Sequence, residues 1–217
     1  MSLEISAFIN ANPDWEKKLS ESPYFVKTKR DGSFVLLKYS QFDSDFTLPI
    51  VRECRGIILD QSDNYKPVCV PFFKFGNFNE NYVPQIDWES ARVQEKRDGS
   101  LIKIWHYGNK WQVSSNGEID ARNALVNSAL LTTSPHTDLF TLFMTAWNKH
   151  SVDMNRLDPE CTYMFELTSP HNRIVVRYED VEIHHIGTRD MRTLLERDED
   201  IGIPKPRVFP LRTLDEC

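Results

Sequence analysis

The sequence predicts an α+β fold with antiparallel sheets, because strand-like and helix-like patterns occupy separate stretches of the chain. Short β-rich runs alternate with turns from residue 24 to about residue 112, and strand patterns resume at residue 162. Apolar residues at i, i+3 and i+4 spacing, which is typical of amphipathic helices, occur near the N-terminus and between these two stretches. No repeat, low-complexity run or linker divides residues 1–217, so we expect a single domain.

Local patterns then place the individual elements. Residues 3–19 carry helical spacing that is interrupted at Pro13, which predicts one short helix or two. The first β-rich stretch predicts strands at 34–39, 56–59, 69–75 and 101–107. Helices are predicted at 121–131 and 137–149, and later strands at 162–167, 173–178 and 181–187.

Composition limits the class of protein without identifying it. There is no secretory signal or membrane span, and the four cysteines have no CxxC spacing, so we expect a reduced, cytoplasmic protein without a zinc site. The net charge is −6, from 26 Lys and Arg against 32 Asp and Glu. This charge by itself argues against polynucleotide binding, so any basic nucleic-acid surface must be local.

The pentapeptide Lys-Arg-Asp-Gly-Ser occurs twice, at residues 29–33 and 96–100. A lysine two residues before Asp-Gly is the signature of enzymes that attach a nucleotide to their own lysine. Asp-Gly is also a strong hairpin signal, because both residues tolerate positive φ. The first copy lies between the β-rich runs 24–26 and 34–37, so we predict an ordinary hairpin turn there.

Three further sequence blocks surround the second copy in a defined order. RECRGII at residues 52–58 and KFGNFNE at 74–80 precede it, and FELTSPHNRIV at 165–175 follows it. This order closely resembles the T-even phage RNA ligase 1 family, which belongs to the covalent nucleotidyltransferases with DNA ligases and mRNA capping enzymes. The resemblance covers about residues 24–189. It implies the nucleotidyltransferase fold, with antiparallel sheets flanked by helices around a nucleotide cleft.

The resemblance also implies the role of the second pentapeptide. Lys96 would attack the α-phosphate of ATP, expel pyrophosphate and hold AMP as a phosphoramidate, while Asp98 and Gly99 would shape the turn that presents the amine. A lysine amine ordinarily keeps its proton up to a pH of about 10.4, and neighbouring positive charge favours its loss. The alternative for Lys96 is a solvated hairpin lysine.

Other matched residues receive roles through the same resemblance. Arg55 and Lys74 would contact phosphates; the alternatives are an ion pair of Arg55 with Glu53 and a Lys74 that merely flanks a strand. Phe165 would stack on the adenine, or belong to the core as aromatic residues in strands usually do. Glu166 would contact the ribose or a metal-bound water, so ATP and Mg²⁺ are the expected cofactors.

Two departures from the family pattern affect expected contacts. After Lys74 the family commonly has two aromatic residues, and here Gly76 replaces the second of them. Asn116-Gly117 stands where the family commonly has a basic residue before glycine, so one expected phosphate or substrate contact lacks its basic residue. Asn172 and Arg173 match family positions, but the sequence assigns no contact to them or to His171.

The last two family blocks, Glu-Gly followed by an apolar residue and a Lys-x-Lys strand, are absent. The one lysine after Glu166 is Lys205, whose flanking prolines argue against a central strand. We therefore expect an incomplete domain: an N-terminal portion of the catalytic domain, a domain completed by a second polypeptide, or one with altered function. The chain alone should form lysyl-AMP weakly or not at all, since losing one preorganised contact costs on the order of 10²–10³ in rate.

Three functional hypotheses follow. The main hypothesis is an ATP-dependent RNA ligase that seals an RNA 5′-phosphate to a 3′-hydroxyl, with RNA as partner and no membrane association. The RECRG and FELTSPHNRIV blocks favour it. The second hypothesis is a catalytically incompetent module that still binds nucleotide or RNA, and the third is a sibling DNA ligase or capping-type nucleotidyltransferase.

Overall fold

The computed structural model describes residues 3–126 and 137–217. Within these ranges the helices are α1 (Glu4–Ala11), α2 (Trp15–Ser20), α3 (Pro49–Glu53) and α4 (Leu139–Trp147). Short 3₁₀ turns lie at Gln61–Asp63, Ala121–Asn123 and Met154–Arg156. The strands before α4 are β1 (Val26–Asp31), β2 (Phe34–Tyr39), β3 (Arg55–Asp60), β4 (Lys66–Cys69), β5 (Val93–Gln94), β6 (Ser100–Tyr107), β7 (Lys110–Ser115), β8 (Leu125–Val126) and β9 (Thr137–Asp138). Those after it are β10 (Cys161–Thr168), β11 (Glu182–Asp190), β12 (Glu196–Arg197) and β13 (Val208–Phe209).

The strands form two main sheets, and the strand pairs in the described residues are antiparallel. The first sheet has the order β1-β2-β3-β4, and the second has the order β12-β11-β10-β6-β7. Two small sheets pair β13 with β5 and β8 with β9. The α+β class with antiparallel sheets is therefore confirmed.

Three buried apolar clusters stack these elements in layers. Helices α1, α2 and α3 cover one face of the first sheet, with Ile5 and Leu19 packed beside Leu37 and Ile57. Helix α4 covers the outer face of the second sheet in a separate cluster. A smaller cluster between the two sheets contains Leu36, Ile58, Cys69, Trp105 and Ile119. The order of layers is thus helices, sheet, sheet and helix.

Most predicted elements are confirmed with small changes in their bounds. The N-terminal pattern gives two helices, α1 and α2, on either side of Pro13. Strands β2, β3, β6, β10 and β11 occur where strands were predicted. The second predicted helix begins at Leu139, because the Asp138 side chain accepts a hydrogen bond from the backbone N–H of Thr141 at 2.8 Å and caps it.

Two predictions in this part of the chain are wrong. A strand was predicted at 69–75, but the observed strand β4 ends at Cys69. The backbone N–H groups that follow do not pair with a neighbouring strand: the Phe72 N–H donates to Met164 Sδ at 3.0 Å, and the Lys74 N–H donates to the Arg52 carbonyl at 2.8 Å. The helix at 121–131 is replaced over its described part by a 3₁₀ turn and β8. Residues 127–131 of that prediction lie outside the described residues.

A buried carboxylate joins α3 to the start of α1. Glu53 is 7% exposed, and its two carboxylate oxygens accept hydrogen bonds from the backbone N–H groups of Glu4 at 3.0 Å and Ile5 at 2.8 Å. The residue before α1, Leu3, has no capping side chain. Glu53 therefore satisfies the helix terminus from a distance of nearly fifty residues along the chain.

We expect Glu53→Ala to lower the free energy of unfolding by roughly 1–3 kcal/mol, because it leaves the buried N–H of Ile5 and the partly buried N–H of Glu4 without acceptors. Urea denaturation followed by circular dichroism measures this change. Glu21→Ala, at an exposed carboxylate, is the control and should lie within about 0.5 kcal/mol of the parent protein. Equal stabilities of the two variants would contradict the capping role.

Candidate active site

The first pentapeptide forms a hairpin turn, as predicted. Strands β1 and β2 pair up to Asp31 and Phe34, so Gly32 and Ser33 make a two-residue loop, and Gly32 has φ +56°. The Lys29 ammonium pairs with the Glu118 carboxylate. Lys29 lines neither of the cavities beside Lys96.

The second pentapeptide has a different conformation. Residues 95–99 run between β5 and β6, which belong to different sheets, so no hairpin forms here. The Lys96 side chain is exposed and lines two neighbouring cavities, one of about 520 Å³ and one of about 430 Å³. Lys96 therefore stands between two spaces that can each hold part of a substrate.

Gly99 packs against β10 more closely than any other residue type allows. Its N–H donates a hydrogen bond to Glu166 Oε1 at 2.9 Å. A Cβ added at Gly99 would lie 2.2 Å from the Leu167 carbonyl oxygen. The requirement for glycine here is steric, and the contact fixes the start of β6 beside the Glu166 carboxylate.

Asp98 anchors the loop that follows β10. Its carboxylate accepts hydrogen bonds from the N–H groups of Val175 and Val176, both at 2.7 Å, and its own N–H donates to the Tyr178 hydroxyl at 3.2 Å. The two backbone hydrogen bonds, helped by Lys96, lower the pKa of Asp98. These contacts also explain why the predicted strand at 173–178 is wrong: the backbone donors there bind a carboxylate instead of a strand.

Asn172 holds the other end of the same loop. Its side-chain amide donates to Ser100 Oγ at 3.1 Å and to the Leu167 carbonyl at 2.9 Å, and its amide oxygen accepts from Ser169 Oγ at 2.5 Å. The Arg173 side chain is exposed, and its Nε donates to the Val175 carbonyl at 3.2 Å. Asn172 is therefore a structural clamp on the segment after Lys96, which the sequence did not assign.

Glu166 and Arg55 face Lys96 in both cavities. Burial raises the pKa of Glu166, while the Gly99 N–H, Lys96 and Arg55 oppose that rise. The Arg55 guanidinium lies 4.7 Å from the centroid of the Phe75 ring. Its Nη1 is buried and has no hydrogen-bond partner within residues 3–126 and 137–217, so the guanidinium keeps an unsatisfied donor beside the cleft.

The two cavities differ in chemistry. The larger one has apolar lining from Phe72, Phe75 and Ile186 together with charged groups that include Arg97 and Glu95. The smaller one is bounded by the polar segment 115–117, whose Asn116 Oδ1 is buried without a partner in the described residues. The first suits a base and the second suits a polar, hydrogen-bonding group.

Two predicted site residues do not reach this cleft. Phe165 is 0% exposed and packs against Phe143, Trp147 and His185, with ring centroids 5.4, 5.8 and 5.5 Å apart. This corrects the expectation that its ring stacks on adenine, since neither face of the ring is free. The Lys74 ammonium lines neither cavity and lies 5.1 Å from the centroid of Phe46.

Sequence reasoning missed a buried lysine next to the site. Lys103 is 0% exposed, and its ammonium donates a hydrogen bond to the carbonyl of Gly56, the residue after Arg55. Burial lowers the pKa of Lys103 to about 8. The sequence did carry a signal for its burial: in the predicted strand 101–107, Lys103 lies on the same face as the apolar residues Leu101 and Trp105.

Comparison with known proteins identifies the family. The family model described as RNA ligase, of the T4 RNA ligase 1 type, matches residues 53–201. The chain belongs to this RNA ligase family. The match contains Arg55, Lys96 and Glu166, which line both cavities.

This chain is similar to individual members of the RNA ligase family over part of their length. It is 34% identical to the "Putative bifunctional polynucleotide kinase/RNA ligase" of Autographa californica nuclear polyhedrosis virus over 185 residues, which cover 77% of this chain and 26% of that protein. It is 27% identical to the RNA ligase of Rhodothermus phage RM378 over 194 residues, covering 76% of this chain and 43% of the phage protein. The chain thus spans less than half the length of both relatives.

A solved structure of a "Putative ATP-dependent DNA ligase" from Aquifex aeolicus superposes with a TM-score of 0.44 at 12% identity, covering 91% of this chain and 50% of that one. The family assignment rests on the sequence matches and not on this likeness. No helix in the described parts of the chain is long and apolar enough to cross a membrane.

We expect Gly99→Ala to weaken ATP binding at least about tenfold, because the new Cβ cannot approach the Leu167 carbonyl and Lys96 is displaced from Glu166. Titration of ATP into the purified protein measures this change. Gly108→Ala is the matched control: it has φ +56° and open space for a Cβ, so it should cost about 1–2 kcal/mol of stability and leave ATP affinity unchanged. Equal ATP affinities of the two variants would refute the requirement for close approach.

Proposed function

We propose that this chain is the nucleotidyl-transfer part of an ATP-dependent RNA ligase, and that Lys96 carries the nucleotide. The observation that supports this most directly is the exposed Lys96 amine in a cleft that also contains Arg55 and Glu166. Family membership supports the same reaction class. The substrates and partners of the whole protein belong to the proposal, since this chain spans only part of its relatives.

In the proposed first step, Lys96 Nζ attacks the α-phosphorus of ATP. A nitrogen–phosphorus bond forms, the bond to the bridging oxygen breaks, pyrophosphate leaves, and the amine gives up its proton. Arg55 lines both cavities with Lys96, so its positive charge lies close to the space where negative charge develops. Positioned cations of this kind supply most of the catalysis in phosphoryl transfer.

In the later steps AMP passes to an RNA end. A 5′-phosphate oxygen attacks the α-phosphorus and releases Lys96, and a 3′-hydroxyl then displaces AMP to form the new phosphodiester. Glu166 is the carboxylate that would hold Mg²⁺, through a metal-bound water, and the ion would neutralise charge on the phosphates. The polar cavity at segment 115–117 is the side that we assign to the phosphates.

We place the adenine base in the larger cavity, against Phe72 and Phe75. Phe75 is 57% exposed, and Gly187 leaves room for the Phe72 ring, which lies 2.4 Å from where a Cβ would be. The Arg55 guanidinium already contacts the Phe75 ring, so in this arrangement the base and the guanidinium would both pack against Phe75. This assignment replaces Phe165 in the role that the sequence suggested.

Covalent labelling tests the nucleotide carrier. In an enzyme that also contains the two absent family blocks, we expect Lys96→Ala to abolish transfer of label from α-labelled ATP to the protein, because the variant lacks the amine that lines both cavities. Lys29→Ala, in the identical pentapeptide at the hairpin, is the matched control and should retain labelling. Adenylylated peptide that maps to Lys29 would refute the proposal, and labelling from GTP as efficient as from ATP would instead favour a capping-type enzyme.

Substitution of the two phenylalanines tests the base site. Phe75→Ser should weaken ATP binding by about 1–3 kcal/mol, the usual contribution of base stacking, with little change in melting temperature. Phe165→Leu should lower the melting temperature and leave ATP affinity unchanged, because its ring is buried under α4. The reverse pattern would return the base to Phe165.

A further inference from the structure

Three lysines of the β1–β2 hairpin lie together at the edge of the first sheet. Lys27 and Lys38 are directly opposite each other in the pairing of β1 and β2, and Lys29 is two residues from Lys27. Because side chains alternate along a strand, all three extend from the same face. That face also carries Leu36, which packs in the cluster between the two sheets, so the lysines point toward the second sheet.

The same three lysines, which we call the lysine row, lie next to the polar wall of the smaller cavity. The Lys29 ammonium pairs with Glu118, and the Lys38 ammonium is 3.3 Å from the position of a Cβ on Gly117. Burial, followed by the charges of Lys29 and Lys27, lowers the pKa of Lys38, while Glu118 acts in the opposite direction. The row is therefore a close group of cations that Glu118 neutralises only in part.

Positive charge continues from the lysine row to the nucleophile. Lys38 lies opposite Arg55 in the pairing of β2 and β3, and the charges of both residues act on buried Lys103. Arg55 in turn lines both cavities with Lys96. In a protein with a net charge of −6, this continuous path is a local basic feature.

We propose that the lysine row of Lys27, Lys29 and Lys38 binds the phosphate backbone of the RNA strand whose end is presented to Lys96. This inference rests on the proposed function, and it assigns the substrate-binding surface of that same site. The row lines neither cavity beside Lys96, so it is placed for phosphates beyond the reacting end and not for ATP. Lysines bind phosphate as point charges without reading the base.

Removing the three charges tests the proposal. The triple variant Lys27→Gln, Lys29→Gln, Lys38→Gln keeps most of each aliphatic stem and should bind a 5′-phosphorylated single-stranded RNA at least about tenfold more weakly at low salt. The slope of log affinity against log salt concentration should fall by about 0.7 for each phosphate that the variant no longer neutralises. Fluorescence anisotropy over a salt series measures both, and ATP affinity should remain unchanged.

A matched control separates local binding from overall charge. Lys18→Gln, Lys66→Gln, Lys110→Gln makes the same change in net charge at α2, at β4 on the opposite edge of the first sheet, and at the far end of β7. It should retain RNA affinity and the salt slope. Equal losses of RNA affinity in the two triple variants would overturn the proposal.

Glu118→Gln distinguishes RNA binding from a structural ion pair. If the row binds phosphate, removing the competing carboxylate should strengthen RNA binding, which is opposite in sign to the effect of the lysine changes. If the ion pair of Lys29 with Glu118 is only structural, Glu118→Gln and the triple lysine variant should both weaken RNA binding. That result would overturn the proposal. A drop in ATP affinity in the lysine variant would also overturn it, by assigning the row to the nucleotide. These measurements need no lysyl-AMP, so failure of the labelling experiment stays distinguishable from failure here.

Discussion

The hydrogen bond from the Gly99 N–H to the Glu166 carboxylate is the contact on which the rest of the site depends. It joins the start of β6 to the middle strand of the second sheet, three residues after Lys96. The absence of a side chain at Gly99 allows the two backbones to approach, since a Cβ would collide with the Leu167 carbonyl. A hydrogen bond to a carboxylate of this kind contributes about 1.5–3 kcal/mol, enough to hold the segment that carries Lys96 in one place.

The electrostatics of the site depend on where charge is placed and not on its total. The chain is acidic overall, yet Lys38 and Arg55 of the first sheet lie close to Lys103 of the second, and Arg55 lines two cavities together with Lys96. Lys103 is fully buried, so it is less screened by solvent than a surface lysine. Such an arrangement attracts phosphate locally while the rest of the surface stays acidic.

The sequence predicted the blocks of the site better than the direction of each side chain. Lys96, Arg55, Glu166, Asp98 and Gly99 come together because the motif order specifies which strands carry them. Phe165 and Glu166 are neighbours in β10, and alternation along a strand sends them to opposite faces. That principle alone could have placed Phe165 under α4 once Glu166 was assigned to the cleft.

Other elements were beyond a sequence-only argument because long-range contacts decide them. The apolar run from Ile174 to Val176 has strand composition, but its side chains are 61%, 71% and 46% exposed and two of its N–H groups bind Asp98. Lys74 follows a strand pattern whose end at Cys69 depends on contacts with Met164 and Arg52. In both cases the partner is distant in sequence, so local propensity gave the wrong structure.

The two copies of Lys-Arg-Asp-Gly-Ser show why the signature works only in context. In the first copy the chain returns at once into β2, Asp31 is a strand residue opposite Phe34, and a Cβ on Gly32 would meet nothing within 4 Å among the described residues. In the second copy the next strand belongs to another sheet, and β10 supplies a carboxylate for the glycine N–H. The following loop supplies two N–H groups for Asp98. Five identical residues thus form a hairpin turn in one place and hold the Lys96 segment against β10 in the other, according to the partners that the rest of the fold brings to them. In the second copy the aspartate and glycine matter for the groups that they bind and not for the turn that they favour.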